Sequence, residues 1–302
     1  MTHHLSARTV RPAVVYFWLG AGVVSVSFAA IFIRLADAEP LTVAAWRLAL
    51  GTLFVAAAAL LRARHSFRAL RRADVPLLLL SGACLAVHFA TWITSLSFTS
   101  VASSVLLVTT TPVFVALASH FALRDRVDRL TALAVALSLA GGAVLALGAW
   151  DGGGRHLLGD ALALAGAVAI AGYLLVGRRI RGRIDNLPYV TAVYGIAAGF
   201  LIAAAAGSGA AMLGLPWETY FWIALSALLP QAVGHSLLNW ALAHTSATNV
   251  TLAVRAEPVL ATLAAIPILG EVPPWTALPG GLLLLAGVYL AVRSEARRSV
   301  SR

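Results

Sequence analysis

Two prolines set the frame of this chain. Pro112 is followed thirteen residues later by Asp125 and sixteen after that by Gly141, and Pro258 is followed at the same two intervals by Glu271 and Gly287. Upstream the match continues with a small slip. His88 and Trp92 stand 24 and 20 residues before their proline, whereas His235 and Trp240 stand 23 and 18 before theirs. A long-range self-match of this kind signals one structural unit built twice. The expected units are residues 1–149 and 150–302.

Hydropathy says what the unit is made of. With 60% hydrophobic and 11% charged residues, the chain is far from the quarter charged of a soluble domain. Its apolar residues fall into ten runs, at about 14–33, 41–61, 75–95, 103–121, 130–148, 157–176, 189–206, 220–242, 249–268 and 275–292. Runs of this length cross a bilayer as helices. They lack the alternation of a transmembrane barrel. The first run is long for a signal peptide and is closely followed by others, so it reads as a retained helix. The lone cysteine, Cys84, lies in a run and excludes an intrachain disulfide.

Orientation comes from arginine, because the chain has no lysine. Of 22 arginines, 18 fall in the termini and in the connections around residues 62–72, 124–129 and 178–183. If ten helices alternate, all these segments lie on one side, which the positive-inside rule makes the cytoplasm, together with both termini. The other side holds the acids Asp37, Glu39, Asp151, Asp160, Glu218 and Glu271. The net charge of +10 is thus a topology signal with attraction to anionic lipid, and no nucleic acid is expected as a partner. Five spans per unit is an odd number, so the second unit enters the membrane from the opposite side. The expected fold is an all-α membrane protein of ten transmembrane helices, arranged as two inverted five-helix repeats around a central cavity. Secondary transporters recurrently use this construction for alternating access.

Polar residues within the apolar runs mark the site, since each is costly in hydrocarbon unless it faces protein or water. His88, Thr91, Trp92 and Ser95 recur at helical spacing along one face of the third run, and Gln231, His235 and Asn239 do so in the eighth. The ninth run carries Arg255 and Glu257 just before Pro258. Those two point to different sides of a helix, so each needs its own partner or water. Arg47 in the second run is a further buried charge, which can pair with Glu257 if their helices adjoin and otherwise serves gating or packing. Pro112 and Pro258 each leave a carbonyl without its helical donor and are candidate flexure points. Asp125 and Glu271 are read as local structure that holds a turn or a neighbouring helix start. The glycines Gly141, Gly142, Gly280, Gly281 and Gly287 are read as close-packing scaffold.

Enzyme chemistry finds little support. HExxH, a GxSxG nucleophile elbow and paired aspartate-rich motifs are all missing from the sequence. Neither a metal nor a cofactor is expected. An intramembrane enzyme drawing on His88, His120, His235 and His244 remains the alternative from another class.

The duplicated pattern of a third-helix aromatic (Trp92, Trp240), a mid-helix proline (Pro112, Pro258), an acid (Asp125, Glu271) and a fifth-helix glycine (Gly141, Gly287) resembles the drug/metabolite transporter superfamily. The likeness is to its ten-helix branch with two EamA-type repeats. Pro40 with Arg47 also resembles that family's second helix, although Gly195 stands where a second arginine would fall. The resemblance implies a central cavity lined by the first, third and fourth helices of each repeat. On this chain those helices hold Trp18, His88, Trp92 and Thr110 in the first unit, and Tyr173, His235, Asn239, Arg255 and Glu257 in the second. It also implies export of a small molecule across a bacterial inner membrane, by a monomer or homodimer. Zwitterionic metabolites lead, above all aromatic and other neutral amino acids, with Glu257 meeting the ammonium and Arg255 the carboxylate. A multidrug or lipophilic-cation exporter is the alternative. His88, His235 and Glu257 are the groups that a proton-coupled cycle would use, whereas facilitated export needs none of them.

Overall fold

The computed structural model describes residues 11–123, 129–148, 154–181, 184–242, 244–245, 250 and 253–300. Regular structure among the described residues is helical throughout. Eight stretches are long and apolar enough to cross a membrane. The first is α1 (Pro12–Ser27) continued by α2 (Ala29–Leu35), and the next are α3 (Pro40–Arg62) and α4 (Val75–Ser95). After the interrupted pair α5 (Val101–Val108) and α6 (Thr111–Leu123) come α7 (Arg129–Gly148), α8 (Arg155–Arg181) and α9 (Asn186–Ser208). α10 (Trp217–Ser226) runs through a π-helical segment, Ala227–Gly234, into α11 (His235–Leu242). α12 (Glu257–Leu269) and α13 (Ala277–Val300) close the chain. Large apolar side chains such as Leu61, Leu139, Leu147 and Leu263 are exposed, as expected of surfaces that meet lipid rather than water.

The two runs holding Pro112 and Pro258 are each interrupted just before their proline among the described residues, and the cause is local. Proline cannot donate to the carbonyl one turn back, so α5 stops at Val108 and α6 restarts at Thr111. The carbonyls left over at this break are covered by side chains. Thr109, Thr110 and Thr111 donate their hydroxyls to Leu106, Leu107 and Val108 at 2.9, 2.6 and 2.8 Å. At the second proline the chain turns at 255–256 before α12 begins, with Pro258 in its first turn, where no donor is needed.

The packing has a regular scheme. α3 lies along α9, α7 along α13, and α5 against α12, while α4 packs on α8 and α1 on α11 with the π segment. The largest buried cluster joins α3, α4 and α9 through Leu48, Phe89, Trp92, Ile93, Tyr189 and Val193. α1 and α11 form a second cluster around Leu19, Val23, Val26 and Leu238. Hydrogen bonds join α3 to the 209–216 connection, where Thr42 donates to the Ala211 carbonyl at 3.1 Å and Trp46 Nε1 to that of Met212 at 2.8 Å. Asp160 departs from its expected place among loop acids. It lies inside α8, which starts at Arg155, and is 6% exposed; the apolar run expected at 157–176 already contained it.

Candidate functional site

Arg47 is the centre of the polar interior. It sits on α3 and is 2% exposed. Its Nη2 donates to Gln231 Oε1 at 3.1 Å, and its guanidinium lies 5.1 Å from the Phe89 ring centroid and 5.5 Å from that of Trp92. Contacts of this kind hold a desolvated cation against aromatic faces. One turn along α3, Gly51 makes the reach of Gln231 possible, since a Cβ there would stand 3.1 Å from Gln231 Cγ. Tyr194 of α9 lies beside Gln231, and Arg47 interacts electrostatically with Tyr194, Glu257, His88 and His235. Six helical segments therefore converge on one guanidinium.

The donors here outnumber the acceptors. Among the described residues, Arg47 Nε and Nη1 and Trp92 Nε1 are buried with no hydrogen-bond partner. An orphaned buried donor costs about 1–3 kcal/mol, and more when it is charged. Glu257, at the start of α12, is the acid that balances Arg47 across the cluster. An occupant bearing a carboxylate and an ammonium would satisfy both ends, since a guanidinium edge matches a carboxylate bidentately.

The third-helix stripe comes out partly as expected. His88 stacks on Trp92 with centroids 5.9 Å apart and meets Phe89 edge-on at 4.9 Å. Its Nδ1 lies 3.0 Å from the Gly166 carbonyl, which can only accept, so Nδ1 carries the proton and Nε2 is the acceptor of the neutral ring. Gly166 permits this approach of α8, for a Cβ there would meet Trp92 Cβ at 3.3 Å. Thr91 and Ser95 are spent on structure. Thr91 donates back to Val87 at 2.8 Å. Ser95 bonds the Trp92 carbonyl at 2.6 Å and Ser104 at 2.7 Å, tying α4 to α5.

Other expected site residues are placed elsewhere. Arg255 turns to α13, where Nη2 donates to the Val288 carbonyl at 3.3 Å and the guanidinium covers Tyr289 at 5.2 Å. Trp18 is exposed, with Phe17 edge-on at 5.1 Å. Thr110 lines a separate apolar cavity. Tyr173 stacks beside Tyr189 at 6.2 Å in the main buried cluster. His235 is exposed at the head of α11, within electrostatic range of Arg47. The Asn239 side chain and Asp125 lie outside the described part. Tyr194 and the pairing of Gln231 with Arg47 went unread in the sequence, as did the π segment around Pro230.

At the end of the bundle that holds the α4–α5 turn, a wide cavity of about 630 Å³ opens between Arg34, Phe98, Arg155, His156 and Glu271. Arg34 donates to the Leu96 carbonyl, and Arg155 covers the Phe98 ring at 5.8 Å. Glu271 Oε1 accepts from the Val101 amide at 3.0 Å, so this acid caps the helix start of α5. Glu271→Ala is expected to lower stability by about 0.5–2 kcal/mol, the usual cost of a lost cap. A thermal melt of the detergent-solubilised protein measures it, and an unchanged midpoint would remove Glu271 from that role.

Apolar membrane helices gathered around a buried, partly unsatisfied charged cluster define a multi-pass membrane protein. The chain belongs to the EamA-like transporter family, whose model matches residues 13–147 and again 157–293. That family is one of transporters. The chain is similar to a probable terminal-alkyne amino-acid exporter of Streptantibioticus cattleyicolor, 31% identical over 62% of this chain and 63% of the relative. It is also similar to an uncharacterized transporter, YdfC, of Bacillus subtilis, 27% identical over 62% of each chain. The matches thus span less than two thirds of these relatives. A protein of known crystal structure, 19% identical, shares the fold with a TM-score of 0.62 over 94% of this chain and 98% of its own.

Proposed function

We propose that this chain exports small zwitterionic metabolites, most of all aromatic and other neutral amino acids, through a site centred on Arg47. The carrying observation is the pair of unpartnered N–H groups on a 2%-exposed arginine, with Trp92 Nε1 beside them. In this reading Arg47 and Trp92 take the carboxylate, Glu257 takes the ammonium, and Trp92, Phe89 and His88 wall the side chain. The carboxylate partner is Arg47 rather than Arg255, whose guanidinium is engaged by α13. The printed name of the Streptantibioticus relative, an amino-acid exporter, is consistent with this class.

The transport architecture belongs to the same proposal: ten spans as two inverted five-helix repeats, 1–149 and 150–302, rocking about Pro112 and Pro258. The contact scheme supports it. If runs are numbered along the chain, the pairs second–seventh, fourth–ninth and fifth–tenth map onto themselves when each run is exchanged for its counterpart five places away. The pairs first–eighth and third–sixth map onto each other under the same exchange. A pseudo-two-fold relation produces that pattern. The arginine distribution supports placing both termini in the cytoplasm, and the bacterial inner membrane is what the family resemblance implies.

The test is flux into proteoliposomes, with a labelled panel of aromatic, aliphatic and charged amino acids, a sugar phosphate and a lipophilic cation. Saturable flux of neutral aromatic amino acids is expected, reduced about tenfold or more by Glu257→Gln, since one charge-assisted hydrogen bond is worth roughly 1.5–3 kcal/mol. Movement of the lipophilic cation alone would make the protein a drug exporter and leave Glu257 as its charge-reading residue. Unchanged amino-acid flux in the variant would return Glu257 to a packing role.

A further inference from the structure

A second cavity, of about 360 Å³, lies apart from the Arg47 cluster, among α5, α6, α7 and α8. Its walls are apolar, with Leu107, Phe114, Gly142 and Leu164 among them, and two residues at its margin, Leu139 and Leu157, are exposed at 70% and 38%. On a membrane protein an apolar mouth of this kind opens sideways to lipid rather than to water. Thr110 also lines the cavity, but its hydroxyl is spent on the Leu107 carbonyl.

Two wall residues do not fit an apolar groove: Ser138, whose hydroxyl is buried with no hydrogen-bond partner among the described residues, and Asp160, which alone can carry a charge. Asp160 of α8 lines it and is 6% exposed. Its Oδ1 accepts from Thr99 Oγ1 at 2.8 Å, whereas Oδ2 is buried without a hydrogen-bond partner among the described residues. Thr99, which holds Oδ1, belongs to the wall of the other, wide cavity. His156, one turn earlier on α8, is the charged-capable neighbour that acts on Asp160 electrostatically. Asp160 is the one ionisable group among the described residues that line the groove. An unpaired carboxylate oxygen at low dielectric is costly and calls for a cationic or strongly donating partner. The groove around it calls for a hydrocarbon chain. Its volume is within the range of small-molecule sites.

We propose that this groove is a lateral binding site for an amphiphile with a single ammonium head and one apolar chain, drawn from the bilayer, with the head against Asp160 Oδ2. The site is independent of the amino-acid site and would stand if that reading fell. Charge complementarity selects the occupant: an anionic amphiphile meets only an acid here, and a neutral one brings hydrocarbon without answering the charge.

The probe is radiolabelled decylammonium, bound to the full-length protein in phosphatidylcholine nanodiscs, with empty nanodiscs as the partition background and 1-decanol as competitor. One saturable site per chain is expected, weakened at least tenfold by Asp160→Asn, an isosteric change that retains an acceptor for Thr99. Ala143→Phe, which fills the groove from its exposed side, should abolish the site, and an equal concentration of decanol should leave it occupied. Binding no greater than to empty discs would overturn the proposal. So would saturable binding indifferent to both substitutions, or displacement by decanol as effective as by unlabelled decylammonium. If Asp160→Asn fails to fold, Ala143→Phe and the decanol competition still decide the matter.

Discussion

Arg47→Met is expected to reduce saturable amino-acid flux by about 30-fold to several thousandfold while the protein stays monodisperse. Truncating one partner of a buried, hydrogen-bonded charge contact typically costs roughly 2–5 kcal/mol of binding, and each 1.4 kcal/mol is about tenfold. The substitution keeps a long side chain against Phe89 and Trp92, so packing is largely retained. Replacing a buried ion with a hydrophobe of similar volume is often neutral or stabilising, provided that its counter-charge does not remain. Glu257 does remain, which makes the double variant Arg47→Met with Glu257→Gln the proper control for folding. Arg47→Lys keeps the charge but loses the planar fork, and should retain weak flux with a raised KM. Should Arg47→Met transport like the parent, the cluster around Arg47 is a packing device. If instead the double variant recovers stability while Arg47→Met loses more flux than Glu257→Gln alone, the guanidinium belongs to the substrate.

The sequence exposed the site's ingredients more readily than their pairing. Periodicity puts His88 and Trp92 on one helical face, and hydrocarbon surroundings make any polar residue there conspicuous. Periodicity does not say which of several hydroxyls bond their own backbone. Thr91 and Ser95 do so, as short polar side chains in helices readily can. The link from Arg47 to Gln231 spans 184 residues and depends on which helices adjoin, a matter of tertiary packing that no local pattern encodes. Arg255 illustrates the same limit from the other side. As a charge next to Glu257 and Pro258 it looked like the carboxylate partner, yet the turn at 255–256 directs it to α13. The winding change before His235 left no such mark. The spacing His235–Trp240 is one residue longer than His88–Trp92, but that slip falls inside α11, after the π segment has ended at Gly234, so the spacing does not mark it. What was most legible was the broken pair α5 and α6, because proline's missing donor is a covalent fact.

The duplicated glycines allow the sharpest test of the scaffold. A Cβ on Gly141 would lie 2.7 Å from the Gly280 carbonyl oxygen and 2.8 Å from the Leu284 amide nitrogen, while a Cβ on Gly287 would lie 2.7 Å from the Ala134 carbonyl oxygen. These neighbours are backbone, so no rotamer can relieve the clash and α7 and α13 must move apart. Gly141→Ala gains up to about 1 kcal/mol of helix propensity but is still expected to destabilise, because overpacking costs roughly 1–3 kcal/mol and more where backbone must shift. Gly141→Val should prevent recovery of folded protein altogether. The neighbouring Gly142→Ala is the contrast, since its Cβ would meet only Leu107 Cδ2, at an ordinary 3.6 Å, and the propensity gain then leaves stability equal or slightly higher. Membrane helices associate through such close backbone contact rather than through hydrophobic exclusion, so the difference between two adjacent glycines reads the α7–α13 crossing directly. Equal melting temperatures for Gly141→Ala and Gly142→Ala in the same detergent would mean that these helices do not cross at Gly141, and the pairing of the fifth run with the tenth would have to be redrawn.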